Sequence, residues 1–563
     1  MTRTRTSGIL STVSALLAAL VLSACAGLPT SGPVQPGLDP DTDVRAPDFS
    51  FLPDRPQPGA TPEQIVEGFI RAGSGPGPLE QWERAREFLA PSIRSTWRPN
   101  AGVTIDIPGD RAYSDIEDGI VTLSLVAVAT VDATGAYERA EAGPIPPMEF
   151  AVAQQEDGEW RITQAPDGIV LDVDAFPNVY HRYPLMYFDT TWQFLVPDVR
   201  WFPTRNAASR ITTALVNGQP SEWLADAVVT AFPESVTASP SVQVDAGVAE
   251  VELSESALAV APQTLDRMAT QLSESLSSLG VTEVDLSVGS APLAAEPVPV
   301  RSTRVTGPSL VVNELGFGYL AGDELERVPG LSDVLETVEP VSIQMTPDRE
   351  WVATRLVDGS VTRQGADLSS DLLDSRLGLI DPTIDPFGVI WSVPQGQPGD
   401  LDAFLLDGRQ VDIADAWSGA TQITAMSISR DGTRMAAIVT VGARSEVWVA
   451  GVVRADGIPQ RLGAPVMIGA VAGEGAALAW LDDTTVGVVS HEGEASIVME
   501  QLVGGPASAN VAPGEVTSIA GASTVSTVRL RAADGSLYVR RGTTWQQAAS
   551  GIEVLATQQG MPQ

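Results

Sequence analysis

Apolar positions fall into three successive regimes along the chain, each with its own period. From Thr61 the spacing is helical. Thr61-Pro62-Glu63-Gln64 is a capping-box signature with proline in the first turn, and Ile65, Val66, Phe69 and Ile70 follow on one face. A second helix carries Trp82, Ala85, Phe88 and Leu89 and stops before Pro91. Alternation then takes over: Val103, Ile105 and Ile107, next Val121, Leu123, Leu125 and Ala127, and finally Phe150 and Val152 facing Trp160 and Ile162 across an Asp157-Gly158 turn. Helices before strands predict a compact α+β domain over residues 61–175, an order that suits the curved-sheet cone of the NTF2 superfamily.

The second regime, residues 190–299, is again α+β. Trp192, Phe194 and Val196 alternate as a strand; a helix with Ala207, Ile211, Ala214 and Leu215 ends at Asn217-Gly218. Strands at 242–244 and 248–253 precede the clearest helix, which spaces Leu265, Met268, Leu272, Leu276 and Leu279 before Gly280; Val284, Leu286 and Val288 close the unit as a strand.

From 307 to 563 helical periodicity gives way to short strands and turns. Four times an alternating strand runs into an aspartate turn and apolar residues resume, at Asp348, Asp385, Asp431 and Asp482, separated by 37, 46 and 51 residues. Residues 516–519 and 537–540 form another unit, and 310–320 begins or completes one. Such periods predict a β-propeller of about six blades, with a pair of β-sandwiches as the rival arrangement. The fold class is therefore multidomain: two α+β domains followed by an all-β propeller.

Ahead of these domains, Arg3 and Arg5 lead an apolar run from Ile9 to Leu22, and small residues precede Cys25. This is the layout of a secretory signal over residues 1–24, its apolar run shorter than the ~20 residues of a spanning helix. Leu22-Ser23-Ala24-Cys25 resembles the bacterial lipobox, which implies that Cys25 carries an S-diacylglyceryl group and an N-acyl chain, palmitate in the common case. Residues 25–60, rich in Pro, Gly and Asp, read as an extended tether. The expected location is the cell membrane, lipid-anchored on the extracytoplasmic face.

Charge narrows the functions. With 71 acidic and 34 basic residues the net charge is −37, which excludes a general nucleic-acid binder and makes electrostatic attachment to anionic lipid unfavourable. No lysine is present, so Schiff-base and Walker-type phosphate chemistry are excluded. His181 and His491 are the two histidines and Cys25 the single cysteine, too few for a His/Cys metal centre; neither histidine has a Gly-x-Ser-x-Gly elbow to serve. Ser429-Arg430-Asp431-Gly432 invites comparison with the Asp-box of sialidase propellers but lacks the following tryptophan, and reads as a hairpin turn. Trp192, Trp201, Phe202 and Trp223 cluster in the second domain, as core or as a surface for a sugar or partner. No catalytic, cofactor-binding or metal residues are expected, and no enzyme activity.

Together these features resemble the actinobacterial LpqB lipoprotein family. The residues that carry the resemblance are Leu22-Ser23-Ala24-Cys25, Gly27-Leu28-Pro29-Thr30-Ser31-Gly32-Pro33-Val34 and Thr61-Pro62-Glu63-Gln64-Ile65-Val66-Glu67-Gly68-Phe69; residues 196–225 look like the opening of a GerMN domain. The resemblance implies an accessory protein of a two-component system that touches the extracytoplasmic sensor domain of an MtrB-like histidine kinase and bears on cell-wall homeostasis and division. A cell-wall glycan-binding protein or peptidoglycan hydrolase is the alternative, with wall glycan as the partner.

Overall fold

The computed structural model describes residues 53–562 apart from 78–80, 141–144 and 523. The signal segment, the lipobox with Cys25 and most of the tether lie outside the described residues.

The first unit opens with the helix Pro62–Ala72, whose capping box closes as its sequence demands: the Thr61 amide donates to Gln64 Oε1 (3.0 Å) and the Gln64 amide to Thr61 Oγ1 (3.4 Å). The second helix is a single turn, Glu83–Arg86, capped by Trp82 in a left-handed conformation (φ 50°). That strained entry is held because the Trp82 ring is fully buried and its Nε1 donates to Gly73 O (2.8 Å). The strands divide between two four-stranded sheets. One runs in the order 137–139, 127–132, 102–106, 169–172, its last pair parallel; the other runs 112–113, 120–124, 148–154, 160–164. Phe69, Trp97 and Phe150 meet edge-on between helix and sheets. Ile107, expected to continue the first alternation, falls beyond the strand Gly102–Asp106 and is exposed.

The second unit begins earlier than its hydrophobic pattern indicates. Tyr180–Asp189, which lies before the 190–299 regime read above, is a ten-residue strand paired antiparallel over residues 180–188 with Leu195–Pro203. Tyr183, Leu185 and Tyr187 alternate inward along it, a period obscured in sequence by the charged and proline residues between them. Trp192 sits in the intervening turn rather than in a strand. Asp189 fastens that turn, accepting the amides of Thr191, Gln193 and Phe194 at 2.7–2.9 Å. The helix Pro262–Leu276 packs against both this hairpin and the sheet containing Val248–Glu252 and Glu283–Val288; Ser275 Oγ accepts the Met186 amide at 2.8 Å.

Beyond residue 307 the structure is a six-bladed propeller. Each blade is an antiparallel sheet whose strands run A to D from the axis outward. The inner strands of blades two to six are Pro340–Met345, Thr383–Ile384, Gln422–Ile428, Glu474–Trp480 and Val516–Ala520. The first blade takes Ser309–Asn313, Gly316–Ala321 and Glu324–Arg327 from the start of the domain and its inner strand, Val554–Leu555, from the end. Pairing the two ends of the domain in one sheet closes the ring and removes the open edges.

The four turn aspartates are the turns between strands A and B. Asp385 Oδ1 accepts the amide of Phe387 (2.9 Å), Asp431 Oδ1 that of Thr433 (2.8 Å), Asp482 Oδ1 that of Thr484 (2.8 Å) and Asp348 Oδ1 that of Glu350 (3.1 Å). The i to i+2 bond is an Asx-turn, and it recurs at Asp358, Asp367, Asp407 and Asp534 in the other turns. Part of the chain's acidity is thus structural.

These turns predict a response to acid. The hydroxyls of Ser360 and Ser369, then their amides, hold the Asp358 and Asp367 carboxyls below the usual range; at Asp407 and Asp534 the amides of Arg409 and Ser536 come first. A carboxyl whose folded pKa is depressed contributes stability above its unfolded value, about 3.9, that is lost as pH falls through the folded one. The melting temperature is therefore expected to fall as pH drops from about 5 to about 3 more steeply in the parent than in Asp358→Asn/Asp367→Asn. Comparing the two slopes by calorimetry isolates the turns, because Asp402 and Asp483, whose carboxyls burial pushes up, act oppositely in both proteins. Equal slopes would refute the assignment.

Candidate functional site

The three folded units meet on one strand. Leu195–Pro203 is covered on both faces: Val196 and Phe202 enter the core of the second unit, while Val199 and Trp201 enter that of the first. Trp201 packs on Phe176 (4.8 Å between ring centres) and Tyr137 (6.3 Å) of the first unit, and donates Nε1–H to Gly504 O of the propeller at 2.8 Å. Its amide donates to Gly135 O (2.8 Å), so the strand also pairs with a turn of the first unit.

Beside Trp201 lies a buried ion pair. Arg200 Nη2 meets Asp198 Oδ2 at 2.7 Å, both side chains almost fully buried. Asp198 also accepts the amide and hydroxyl of Ser221 (2.8 and 2.7 Å), and Arg200 Nη1 donates to Thr134 Oγ1 (2.9 Å) across the seam. Burial opposes the Arg200 charge, but Asp198 outweighs it and raises the guanidinium pKa.

The second unit is pressed onto the propeller face formed by the A–B and C–D turns. Phe194 meets Phe387 edge-on (5.7 Å) and Arg434 Nη1 reaches Pro197 O (3.5 Å). Trp223 lies over Gly451 and Gly463; a Cβ at Gly451 would sit 2.8 Å from Ala227 Cβ and 3.0 Å from Trp223 O, so only glycine permits this approach. The linker crosses the same face: Thr303 donates to Asp483 (2.8 Å), and Arg529 Nη2 to Gly307 O (2.5 Å). All four aromatics singled out in sequence thus serve packing. Trp192 stacks under Arg267 (4.0 Å) and against Phe188.

The propeller axis is partly filled by the chain itself. Thr557–Gln558 adds a parallel strand on the axial side of Pro340–Met345. Gln344 organises it, donating Nε2 to Thr557 Oγ1 (3.0 Å) and accepting Thr383 Oγ1 (2.6 Å) and the Ile384 amide (2.5 Å); Tyr319 OH donates to Gln558 Oε1 (2.6 Å). Nothing local in sequence marks Gln344 for this role.

The opposite face, built from the B–C turns and the D–A connections, carries exposed apolar side chains. Leu377 is 94% exposed, Val511 67%, Val357 66% and Leu315 53%. The Val357 amide donates to Glu339 O (3.1 Å), which sets that turn beside Val341, another exposed residue.

The histidines stay apart. His181 lies in the strand opposite Phe202. His491 Nδ1 is 3.2 Å from Ser496 Oγ, but that oxygen is buried and accepts the Val516 amide, so it is not offered as a nucleophile. Among the described residues no three His, Cys, Asp or Glu side chains converge as a metal site, and no helix is long and apolar enough to cross a membrane.

Two packed α+β units carrying a six-bladed propeller, joined through one shared strand, define a modular protein of the propeller class. Residues 55–177 match the family model "Lipoprotein LpqB, N-terminal domain", 184–294 "Sporulation and spore germination" and 317–555 "Lipoprotein LpqB beta-propeller domain", the last ending on the strand that closes the ring. The chain belongs to the LpqB lipoprotein family. It is 32% identical to Lipoprotein LpqB of Thermobifida fusca over 48% of this chain and 45% of that protein. With that of Cutibacterium acnes it shares 28% over 76% and 72%, and with that of Streptomyces avermitilis 24% over 94% and 95%.

Proposed function

We propose that this lipoprotein is a non-enzymatic accessory subunit, anchored through Cys25 on the extracytoplasmic face, whose propeller docks the sensor domain of a histidine kinase and tunes a pathway of cell-wall homeostasis. The observation that carries this reading is the asymmetry of the propeller. One face is occupied by the second unit and the linker, while the other exposes Leu377, Val357, Leu315 and Val511. An unoccupied face that bears exposed apolar side chains offers a surface to a protein partner. An anchor beside the membrane adds a second advantage, because confinement raises the effective concentration of a membrane-bound partner.

Photo-crosslinking from position 377 in intact membranes tests the reading. Capture of a sensor kinase is expected, with loss of most of the product in Leu377→Asp/Val357→Asp. Both side chains are exposed, so the double variant should melt within about 0.5 kcal/mol of the parent. Failure to capture a kinase, or capture indifferent to the double substitution, would remove the support. Cleavage of purified peptidoglycan by the parent would favour a hydrolase instead.

A further inference from the structure

A cavity of about 290 Å³ lies inside the first unit, between the helix Pro62–Ala72 and the two sheets. Its base is apolar: Phe69, Trp97 and Phe150 line it and are almost fully buried. Their rings meet edge-on, Phe69 at 5.1 Å from Trp97 and 6.0 Å from Phe150, so this part of the wall is fixed by mutual packing. Trp97 is held twice more. Its Nε1 donates to Pro166 O (3.0 Å), and Arg86 covers its ring at 5.3 Å.

The mouth is polar, with Thr130, Asp132 and Asp167 on the lining and exposed. Asp167 is committed: Arg98 donates Nε and Nη2 to its Oδ2 (2.9 and 2.6 Å) and its amide to Oδ1 (2.9 Å). At Asp132 the following turn takes Oδ1, which accepts the amides of Thr134 (2.8 Å) and Ala136 (2.9 Å). Among the described residues Oδ2 meets the Thr134 hydroxyl alone, at 3.0 Å, and so retains capacity to accept a further donor. Among the described residues that line the cavity there is no arginine or histidine. An acidic group carried inside would therefore be desolvated without a cation to meet it.

We propose that this cavity binds a small amphipathic alcohol. A ring-bearing hydrocarbon body packs against Phe69, Trp97 and Phe150, and the hydroxyl at the mouth donates to Asp132. The volume suits a body about the size of naphthalene. Water against the aromatic base would lack the polar partners it requires, whereas hydrocarbon requires none. Val131 and Asp132 of the wall run into the turn whose Gly135 O takes the Trp201 amide and whose Thr134 takes Arg200. An occupant thus rests against the strand that carries the seam to the second unit, and binding stabilises the folded body by linkage. The proposal stands apart from the docking of a kinase and survives its failure.

Isothermal titration of the full-length, detergent-solubilised protein, blanked against detergent alone, tests it with three probes: 2-naphthol, naphthalene-2-carboxylate and glucose. Saturable binding of 2-naphthol is expected, with the carboxylate at least about tenfold weaker and glucose not bound at the same concentration. Ala101→Phe and Met148→Trp fill the cavity from half-buried positions on its wall. Each should weaken 2-naphthol binding at least about tenfold and keep the parent's melting temperature. Leu377→Asp/Val357→Asp should leave the affinity unchanged, which separates the cavity from the exposed apolar face of the propeller. No 2-naphthol binding below about 1 mM, equally tight binding of the carboxylate or of glucose, affinity unchanged in both filled variants, or loss of binding in the propeller double variant would overturn the proposal.

Discussion

Asp385→Ala should destabilise the propeller by about 3–5 kcal/mol, the cost of stripping one partner from a buried ion pair. Asp385 is fully buried, and its Oδ1 accepts the amides of Phe387 and Val389, both at 2.9 Å. Its Oδ2 receives Arg454 Nη2 at 2.5 Å, and Arg454 lies over the rings of Phe387 and Trp391 at 5.2 and 5.8 Å. Alanine leaves a buried guanidinium without its anion and orphans two amides in the turn. The arginine keeps only carbonyl partners, Gly432 O at 3.0 Å and Gly457 O at 3.2 Å, which do not neutralise it. Asparagine retains an acceptor for the turn and should therefore cost less than alanine. Urea midpoints of the full chain measure both, and a loss below about 1 kcal/mol for alanine would show that the pair does not hold the third blade to the fourth.

The second large effect is all or none. Cys25→Ser should move the protein from the membrane to the soluble fraction with its folded body intact. The thiol is the atom to which the lipobox resemblance assigns the diacylglyceryl group, and two acyl signals hold a protein durably where one does not. Little else would retain it. Among the described residues no helix is long and apolar enough to span, and a net charge of −37 opposes adsorption to anionic lipid. Fractionation with metabolic acyl labelling reads the outcome. Full retention of the unlabelled variant in membranes would contradict the anchor, and a lowered melting temperature would contradict a role confined to attachment. Loss of kinase crosslinking in the released protein would add that the anchor, and not the propeller alone, brings the partners together.

Local chemistry made much of this architecture legible. The Thr61–Gln64 capping box formed as read, because its bonds span three residues. The aspartate turns likewise marked the blades, because an Asx-turn closes within two residues of its aspartate. The leucine stripe on Pro262–Leu276 packed inward. By contrast, Tyr180–Asp189 was obscured by its proline and charged residues; its strand character comes from pairing with Leu195–Pro203 and from the core beneath it. Trp201 and Trp223 stood out as aromatics, but their role in joining units is a matter of what faces them.

The sequence by itself determined the order of the units, their approximate extents, the positions of the turns and the acidity that many of those turns use. These follow from periodicity and from bonds between near neighbours. Only the tertiary structure decided that Val554–Leu555 closes the first blade and that Arg454 pairs with Asp385 across 69 residues. Those arrangements require distant segments to meet, and among 71 acidic side chains burial and geometry, not residue type, select the partner of each arginine.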